Sequence, residues 1–151
     1  MKGAEEMKNV KRGFAIGKWV LATLVLACVF SATGYGEKIK DGPYKEYFDN
    51  GQLRREGFYK NGNLEGLQKV YHPNGQLALE ATFKNGQADG IRKEYFKNGY
   101  MALYGSFKNG KAEGVFRYYY ENGKIKTREI YKHGKLLGPA QEFDELGNLK
   151  P

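Results

Sequence analysis

The fold is decided by residues 66–90, which read GLQKVYHPNGQLALEATFKNGQADG. This stretch runs from one repeat glycine to the next, 24 residues later, and Asn-Gly pairs inside it recur at the same period. A fixed period of about 20 to 50 residues is the signature of a repeat array. Such arrays hold other molecules more often than they catalyse reactions. The repeat glycines are Gly42, Gly66, Gly90, Gly114 and Gly138.

The Asn-Gly pairs predict hairpins, because a type I′ turn needs positive φ at both central residues and Asn-Gly supplies it. The pairs alternate at spacings of 11 and 13 residues, with aromatic and β-branched segments of strand length between them. We therefore expect an all-β fold, an elongated and open antiparallel meander of stacked hairpins with about 4.5 repeats of 24 residues. The expected strands are 43–48, 53–60, 67–72, 77–84, 91–96, 101–108, 115–120, 125–132 and 139–143.

Aromatic residues recur in columns that predict how the hairpins pack. Side chains alternate between the faces of a strand, so Leu53, Gly57 and Tyr59 share one face, while Arg54 and Glu56 lie on a largely polar one. One hairpin alone is marginal in water, so we expect rings to pack from repeat to repeat and over a column of mostly small residues. The aromatic columns are Tyr59, Phe83, Phe107 and Tyr131, and Tyr47, Tyr71, Tyr95 and Tyr119; the mostly small column is Gly57, Ala81, Gly105 and Glu129.

The N-terminal segment, residues 1–36, has the pattern of a secretory signal peptide. A basic leader precedes the apolar run Trp19–Phe30, which is short for a membrane-spanning helix of roughly 20 residues. An uncleaved inner-membrane anchor helix is the alternative. Cys28, the only cysteine, follows Val25-Leu26-Ala27 in a motif similar to a lipobox, so lipidation is a further alternative. Residues 37–151 then form an exported repeat domain that is periplasmic, outer-membrane-associated or secreted.

The charge pattern gives a candidate interaction surface. Residues 37–151 carry 20 basic and 15 acidic residues, an even, mild bias that argues against nucleic-acid binding, where the basic patch is usually sharper. Two basic columns repeat every 24 residues beside tyrosines, and they could bind an acidic protein, an anionic polymer or lipid headgroups. The alternative is that they only solubilise the sheet and protect its edges. The columns are Lys45, Lys69, Lys93 and Arg117, and Lys60, Lys84, Lys108 and Lys132.

Catalytic and metal-binding patterns are missing from the repeats. His72 takes a position held by aromatic residues in other repeats, and His133 replaces a turn asparagine, so both fit as substitutions within the repeat pattern. A zinc site would need further ligands at close spacing, which the sequence does not offer. Glu56 and Glu80 are column mates about 10 Å apart, and we expect them to pair with lysines of neighbouring strands. The sequence predicts no enzyme, metal or cofactor.

The repeat frame also carries a family resemblance. It reads Lys69-Val70-Tyr71-His72-Pro73-Asn74-Gly75-Gln76-Leu77, followed by Phe83-Lys84-Asn85-Gly86 and Gly90. This frame resembles the MORN-repeat superfamily and is similar to the bacterial MORN-variant repeat. The resemblance implies a sheet of stacked hairpins and a non-enzymatic scaffold that binds proteins or lies near membranes. Some bacterial relatives are labelled antitoxins.

Three functions are therefore expected to compete. The first is an exported scaffold that presents its sheet to a protein or to the cell envelope. The second is an antitoxin-like inhibitor of one cognate toxin, although an export signal departs from a cytoplasmic antitoxin. The third is binding of anionic lipid or polysaccharide, which added salt would weaken.

Overall fold

The computed structural model describes residues 39–151, and in this part of the chain it is an all-β structure without a helix. The predicted signal segment, the domain boundary after residue 36, and Cys28 lie outside these residues. Strands β1 to β8 follow one another across a single antiparallel sheet, which is not closed, so the predicted open meander is confirmed. The strands are β1 Gly42–Tyr47, β2 Leu53–Lys60, β3 Asn63–Tyr71, β4 Leu77–Lys84, β5 Gln87–Tyr95, β6 Met101–Lys108, β7 Lys111–Tyr119, β8 Ile125–Lys132, β9 Lys135–Leu136 and β10 Gln141–Glu142.

In β3, β5 and β7 the repeat glycine lies inside the strand, and not just before it as expected from the sequence. β3, β5 and β7 begin four residues earlier than predicted, whereas the bounds of β2, β4, β6 and β8 are confirmed. Glu56 pairs with Lys69 but Phe58 pairs with Glu65, so the strand passes through a β-bulge that contains Gly66. Gly66 has a φ of 71°, a conformation that glycine adopts without steric cost.

The Asn-Gly turns are of two kinds. Asn61 and Gly62 both have positive φ, 52° and 72°, as a type I′ turn requires, so the prediction is confirmed for this series. It is wrong for the series that starts at Asn50, where only the glycine has positive φ. There the amide of Gly51 donates to the carbonyl of Phe48 at 2.8 Å, and Asn50 Oδ1 accepts the amide of Gln52 at 3.0 Å. Asparagine acts in this turn through its side chain.

Side chains link successive turns at both ends of the strands. On one side, Glu65, Asp89 and Glu113 each accept a backbone amide from the turn 20 residues downstream, at 2.8, 3.1 and 2.7 Å. On the other side, the side-chain amide of Asn74 donates to the carbonyl of Lys97 at 3.1 Å, and its counterparts make the same bond. The acidic residues therefore bind neighbouring turns in addition to lowering the net charge.

One face of the sheet, which we call the ring face, buries the side chains of Tyr59, Leu79, Ala81, Phe116, Gln68 and Glu129. Ring contacts do form between neighbouring strands, but they involve a column that the sequence analysis missed. Phe116 contacts both Phe107 and Tyr131, with ring centroids 5.4 and 5.0 Å apart, and Tyr44 contacts Tyr59 at 4.8 Å. The missed column is Tyr44, Gln68, Arg92 and Phe116.

The small column explains how this missed column fits. A Cβ on Gly57 would lie 1.6 Å from the side-chain oxygen of Gln68, and a Cβ on Gly105 would lie 2.3 Å from the ring of Phe116. The small residues are therefore covered by large side chains, but these come from the missed column and not from the predicted aromatic columns. Glu129 is the exception in the column, and the 24-residue counterpart of Phe116 beyond it is the small Ala140. Glu129 is buried and accepts a hydrogen bond from the hydroxyl of Tyr131 at 2.8 Å.

The last strand is divided. A single strand over 139–143 was expected, but β9 and β10 are two short segments, both paired with β8. Gly138, with a φ of 75°, and Pro139, which has no amide to donate, separate them. Pro43 holds the equivalent position in β1, so a proline lies along each outer edge of the sheet, within β1 at one and between β9 and β10 at the other. A proline on an edge strand discourages pairing with a further strand.

Candidate interaction surface

The face opposite the ring face, which we call the lysine face, carries a row of charged side chains that crosses the sheet. Each member pairs with the next through the strand register, from β1 to β8. The charged row is Lys45, Glu56, Lys69, Glu80, Lys93, Tyr104, Arg117 and Arg128. It contains every residue of the first predicted basic column, so the structure brings that column together on one surface.

In β1 to β5 the charges of this row compensate one another. Lys45 Nζ lies 3.5 Å from Glu56, while Glu80 is 4.0 Å from Lys69 and 3.6 Å from Lys93. The expectation that these carboxylates pair with lysines is confirmed. Exposed ion pairs contribute little stability, so their main effect here is on the local electrostatic field.

A tyrosine hydrogen bond strengthens the same region. The hydroxyl of Tyr71 donates to Glu56 Oε1 at 2.7 Å, which places this residue of the predicted tyrosine column on the lysine face. That bond, together with the nearby lysines, lowers the pKa of Glu56 below its ordinary value of 4.5. In turn, burial and the hydrogen bond to Glu56 raise the pKa of Tyr71 to about 12.

In β6 to β8 the row is no longer compensated. Tyr104 stands where β2 and β4 have glutamate, and the guanidinium of Arg117 lies 6.0 Å from the centre of its ring. Arg117 is paired directly with Arg128 on the neighbouring strand. Within residues 39–151, no carboxylate lies within ion-pair distance of either guanidinium. This end of the lysine face therefore has uncompensated positive charge.

An apolar row runs beside the charged row. Its cross-strand pairs are Pro43 with Phe58, Leu67 with Thr82, Ile91 with Ser106, and Val115 with Ile130. Phe58, Leu67, Ile91 and Ile130 are 42 to 50% exposed. Only the last of these pairs in β3 to β8 consists of two aliphatic side chains. Within β3 to β8, the apolar character is therefore highest where the charge is least compensated.

The second predicted basic column lies at the end of the lysine face where the strands enter the turns. These lysines end β2, β4, β6 and β8 and are exposed. Lys60 and Lys84 are paired with the neutral residues Asn63 and Gln87, but the last two are paired with other lysines. The lysine pairs are Lys108 with Lys111 and Lys132 with Lys135. Both predicted basic columns thus become more strongly positive toward β8.

The histidines take part in hydrogen bonds within the repeats. The ring of His72 contacts the carbonyl of Tyr95 at 2.8 Å, and Tyr120, its counterpart two repeats later, makes the same bond to Phe143. His133 occupies a turn with a φ of 52°, and its amide donates to Glu113. Among residues 39–151, no three His, Cys, Asp or Glu side chains lie close enough to hold a metal ion.

The family model of the MORN repeat variant matches residues 40–61, 64–85 and 112–133. The chain contains MORN-variant repeats at these three places. The stretch between the second and third matches holds β5 and β6, which form the same bulge and turns as the other MORN-variant repeats. MORN repeats are a non-catalytic repeat type that generally mediates contacts with proteins or membrane lipids.

Among curated proteins, none matches the chain. A search of the described residues for a helix of sufficient length and apolarity to cross a membrane finds none.

Proposed function

We propose that this protein is an exported, non-enzymatic scaffold whose lysine face binds a partner protein at the cell envelope. The observation that carries the proposal is the continuous surface formed by the charged and apolar rows. It offers two shallow depressions of about 280 and 260 Å³, lined by residues such as Phe58, Leu67 and Ile91. Shallow, extended surfaces suit a macromolecule better than a small substrate, which prefers an enclosed pocket. Tyrosines on this face add contact area at low entropic cost.

A photocrosslinking experiment tests the proposal. A photoreactive phenylalanine analogue replaces Ile91 on the lysine face or, as the control, Leu146 in the C-terminal turn; both side chains are exposed. After irradiation in the native envelope, the Ile91 variant is expected to yield a defined protein adduct that the Leu146 variant lacks. Equal adducts from both positions, or none from either, would contradict the proposed scaffold. A small toxin as the adduct would favour the antitoxin-like alternative.

Export is a separate part of the proposal, supported by the sequence of residues 1–36. Fractionation of cells expressing the full chain is expected to place it in the periplasm, the outer membrane or the medium. The intact mass distinguishes the alternatives: loss of the leader indicates cleavage, an added diacylglyceryl group at Cys28 indicates lipidation, and the full mass indicates an anchor. Recovery of the full-length chain from the cytoplasm would contradict export.

A second candidate function is binding of anionic lipid or polysaccharide. The lysine pairs at the last two turns favour it, because they concentrate positive charge at the end of the sheet near β8. Co-sedimentation with vesicles containing phosphatidylglycerol tests it. Binding that falls steeply between low and moderate salt would support this function, whereas its absence at low salt would exclude it.

A further inference from the structure

The second half of the lysine face differs from the first half at two adjacent cross-strand pairs. Lys69 with Glu80 becomes Arg117 with Arg128 two repeats later, and both pairs have the same strand register. Beside it, Leu67 with Thr82 becomes Val115 with Ile130. A compensated, partly polar patch is thereby replaced by a basic, apolar one, which we call the arginine patch: Tyr104, Val115, Arg117, Arg128 and Ile130.

The arginine pair is a local conflict that the fold does not need. Like charges directly opposite each other on neighbouring strands are destabilising. The first half shows that glutamate fits in the position of Arg128, because Glu80 occupies its counterpart there. A residue pair that disfavours the folded state without a packing reason is expected at a functional site. The guanidinium of Arg117 lies 6.0 Å from the centre of the Tyr104 ring, a contact that offsets some of this cost.

We propose that the arginine patch binds an acidic segment of the partner protein, in which carboxylates lie next to apolar side chains. This inference rests on the proposed scaffold function and names the partner's chemistry. The planar guanidinium groups of Arg117 and Arg128 match carboxylates in a bidentate geometry. An apolar side chain of the segment packs on Val115 and Ile130, whose burial then adds to affinity.

The charge distribution favours a peptide segment over a membrane as the occupant. A membrane would meet the whole lysine face, including the carboxylates of Glu56 and Glu80. A segment that crosses β6 to β8 contacts only the uncompensated half, over a distance of about 10 Å, or three extended residues. Because the lysines of the first half are already paired with carboxylates, an acidic segment is attracted less strongly there than to the second half.

Peptide selection against the full chain tests this inference. A display library of random dodecapeptides is panned on the immobilised protein, and fluorescein-labelled copies of the enriched peptides are measured by anisotropy. The decisive variant is Arg128→Glu, which recreates the compensated pair of the first half. Its matched control is Lys97→Glu, which makes a change of the same sign and size at an exposed turn residue outside the arginine patch and both basic columns.

Enriched peptides are expected to be acidic with interspersed aliphatic or aromatic residues. Arg128→Glu is expected to weaken their binding at least tenfold, and Lys97→Glu less than threefold. Enrichment without acidic bias, equal loss in both variants, or binding to phosphatidylglycerol vesicles alone would overturn the inference. A partner crosslinked through Ile91 but retained by Arg128→Glu would leave the scaffold function standing and remove only the acidic segment.

Discussion

The pair of Lys69 and Glu80 and the pair of Arg117 and Arg128 occupy equivalent positions two repeats apart, but the first pair is neutral in total and the second carries two positive charges. Both pairs keep the same register, and the strands on either side form the same turns. The repeat backbone therefore tolerates both a neutral and a doubly positive pair on the lysine face. The ring face is tighter at Phe116, because a Cβ on Gly105 would lie 2.3 Å from that ring. We therefore expect stability to depend mainly on the ring face, and we propose recognition by the opposite face.

The largest expected effect tests this division between the faces. Phe116→Ala removes a ring that is 4% exposed and contacts Phe107 and Tyr131. Truncation of a buried phenylalanine costs about 3–5 kcal/mol in the free energy of unfolding. Leu67→Ala on the lysine face, where the side chain is 50% exposed, is the control and should change it by no more than about 0.5 kcal/mol. Urea denaturation followed by circular dichroism measures both, and similar losses would contradict the division.

Alkaline titration gives the next effect, because tyrosines of both faces resist ionisation. Burial is the largest cause, and together with neighbouring groups it raises the pKa of Tyr44, Tyr71 and Tyr131 to about 12. A raised pKa in the folded state adds stability that is fully present below the unfolded pKa of about 10 and is lost as the pH rises toward 12. Absorbance at 295 nm should therefore show part of the 12 tyrosines titrating late, together with unfolding. Titration of all of them near pH 10 without unfolding would refute this.

The even-numbered strands and half of the turns could be predicted because local chemistry decides them. Asn61 and Gly62 favour positive φ by themselves, so the type I′ turn follows from two residues. The turn at Asn50 depends instead on a side-chain bond to Gln52 and on the register of the flanking strands, which the dipeptide does not encode. The start of β3 was missed for a similar reason, because Gly66 is read as a break until the pairing of Glu56 with Lys69 reveals the bulge.

The missed column on the ring face shows a limit of hydrophobic patterning. Gln68 and Arg92 are polar, so a search for apolar periodicity passes over them. Gln68 is nevertheless buried, and its side-chain amide donates to the carbonyl of Glu65 at 2.9 Å in the bulge. The signal that could have found this column was the small column itself, since Gly57 and Gly105 each require a large neighbour to cover them.

The candidate surface was predicted in part. Lysine columns are visible in the sequence because the period is fixed, and the role of Glu80 followed from alternation along the strand. The arginine patch was missed, because Arg117 was assigned to a basic column but no role was assigned to Arg128 and Tyr104 from the sequence. Their meaning appears only when the register places Arg128 opposite Arg117. Charge compensation belongs to a pair of strands and cannot be read from either strand alone.

A smaller effect on stability is expected from removing the hydroxyl group of a tyrosine on the lysine face. The hydroxyl of Tyr71 binds Glu56, whereas that of Tyr95, its counterpart one repeat later, has no hydrogen-bond partner among the described residues. Tyr71→Phe should cost about 1 kcal/mol at pH 7, and Tyr95→Phe much less. Because the pKa of Glu56 is lowered, its contribution is present above pH 4.5 and is lost as the pH falls through the folded value. The difference between wild type and Tyr71→Phe should therefore shrink in acid; a constant difference would refute the assignment.

The smallest expected effect comes from exchanging the charges of the two compared pairs. Arg128→Glu places a carboxylate opposite Arg117, as Glu80 lies opposite Lys69, and should stabilise the protein by about 0.2–1 kcal/mol. Glu80→Arg creates the uncompensated pair in the first half and should destabilise it by a similar amount. Both shifts should diminish in 1 M salt, where screening acts over about 3 Å. Thermal unfolding at low and high salt measures them. The prediction requires the two variants to change the free energy of unfolding in opposite directions. Loss of stability in both variants would contradict it, because both native pairs would then be the more stable choice at their positions.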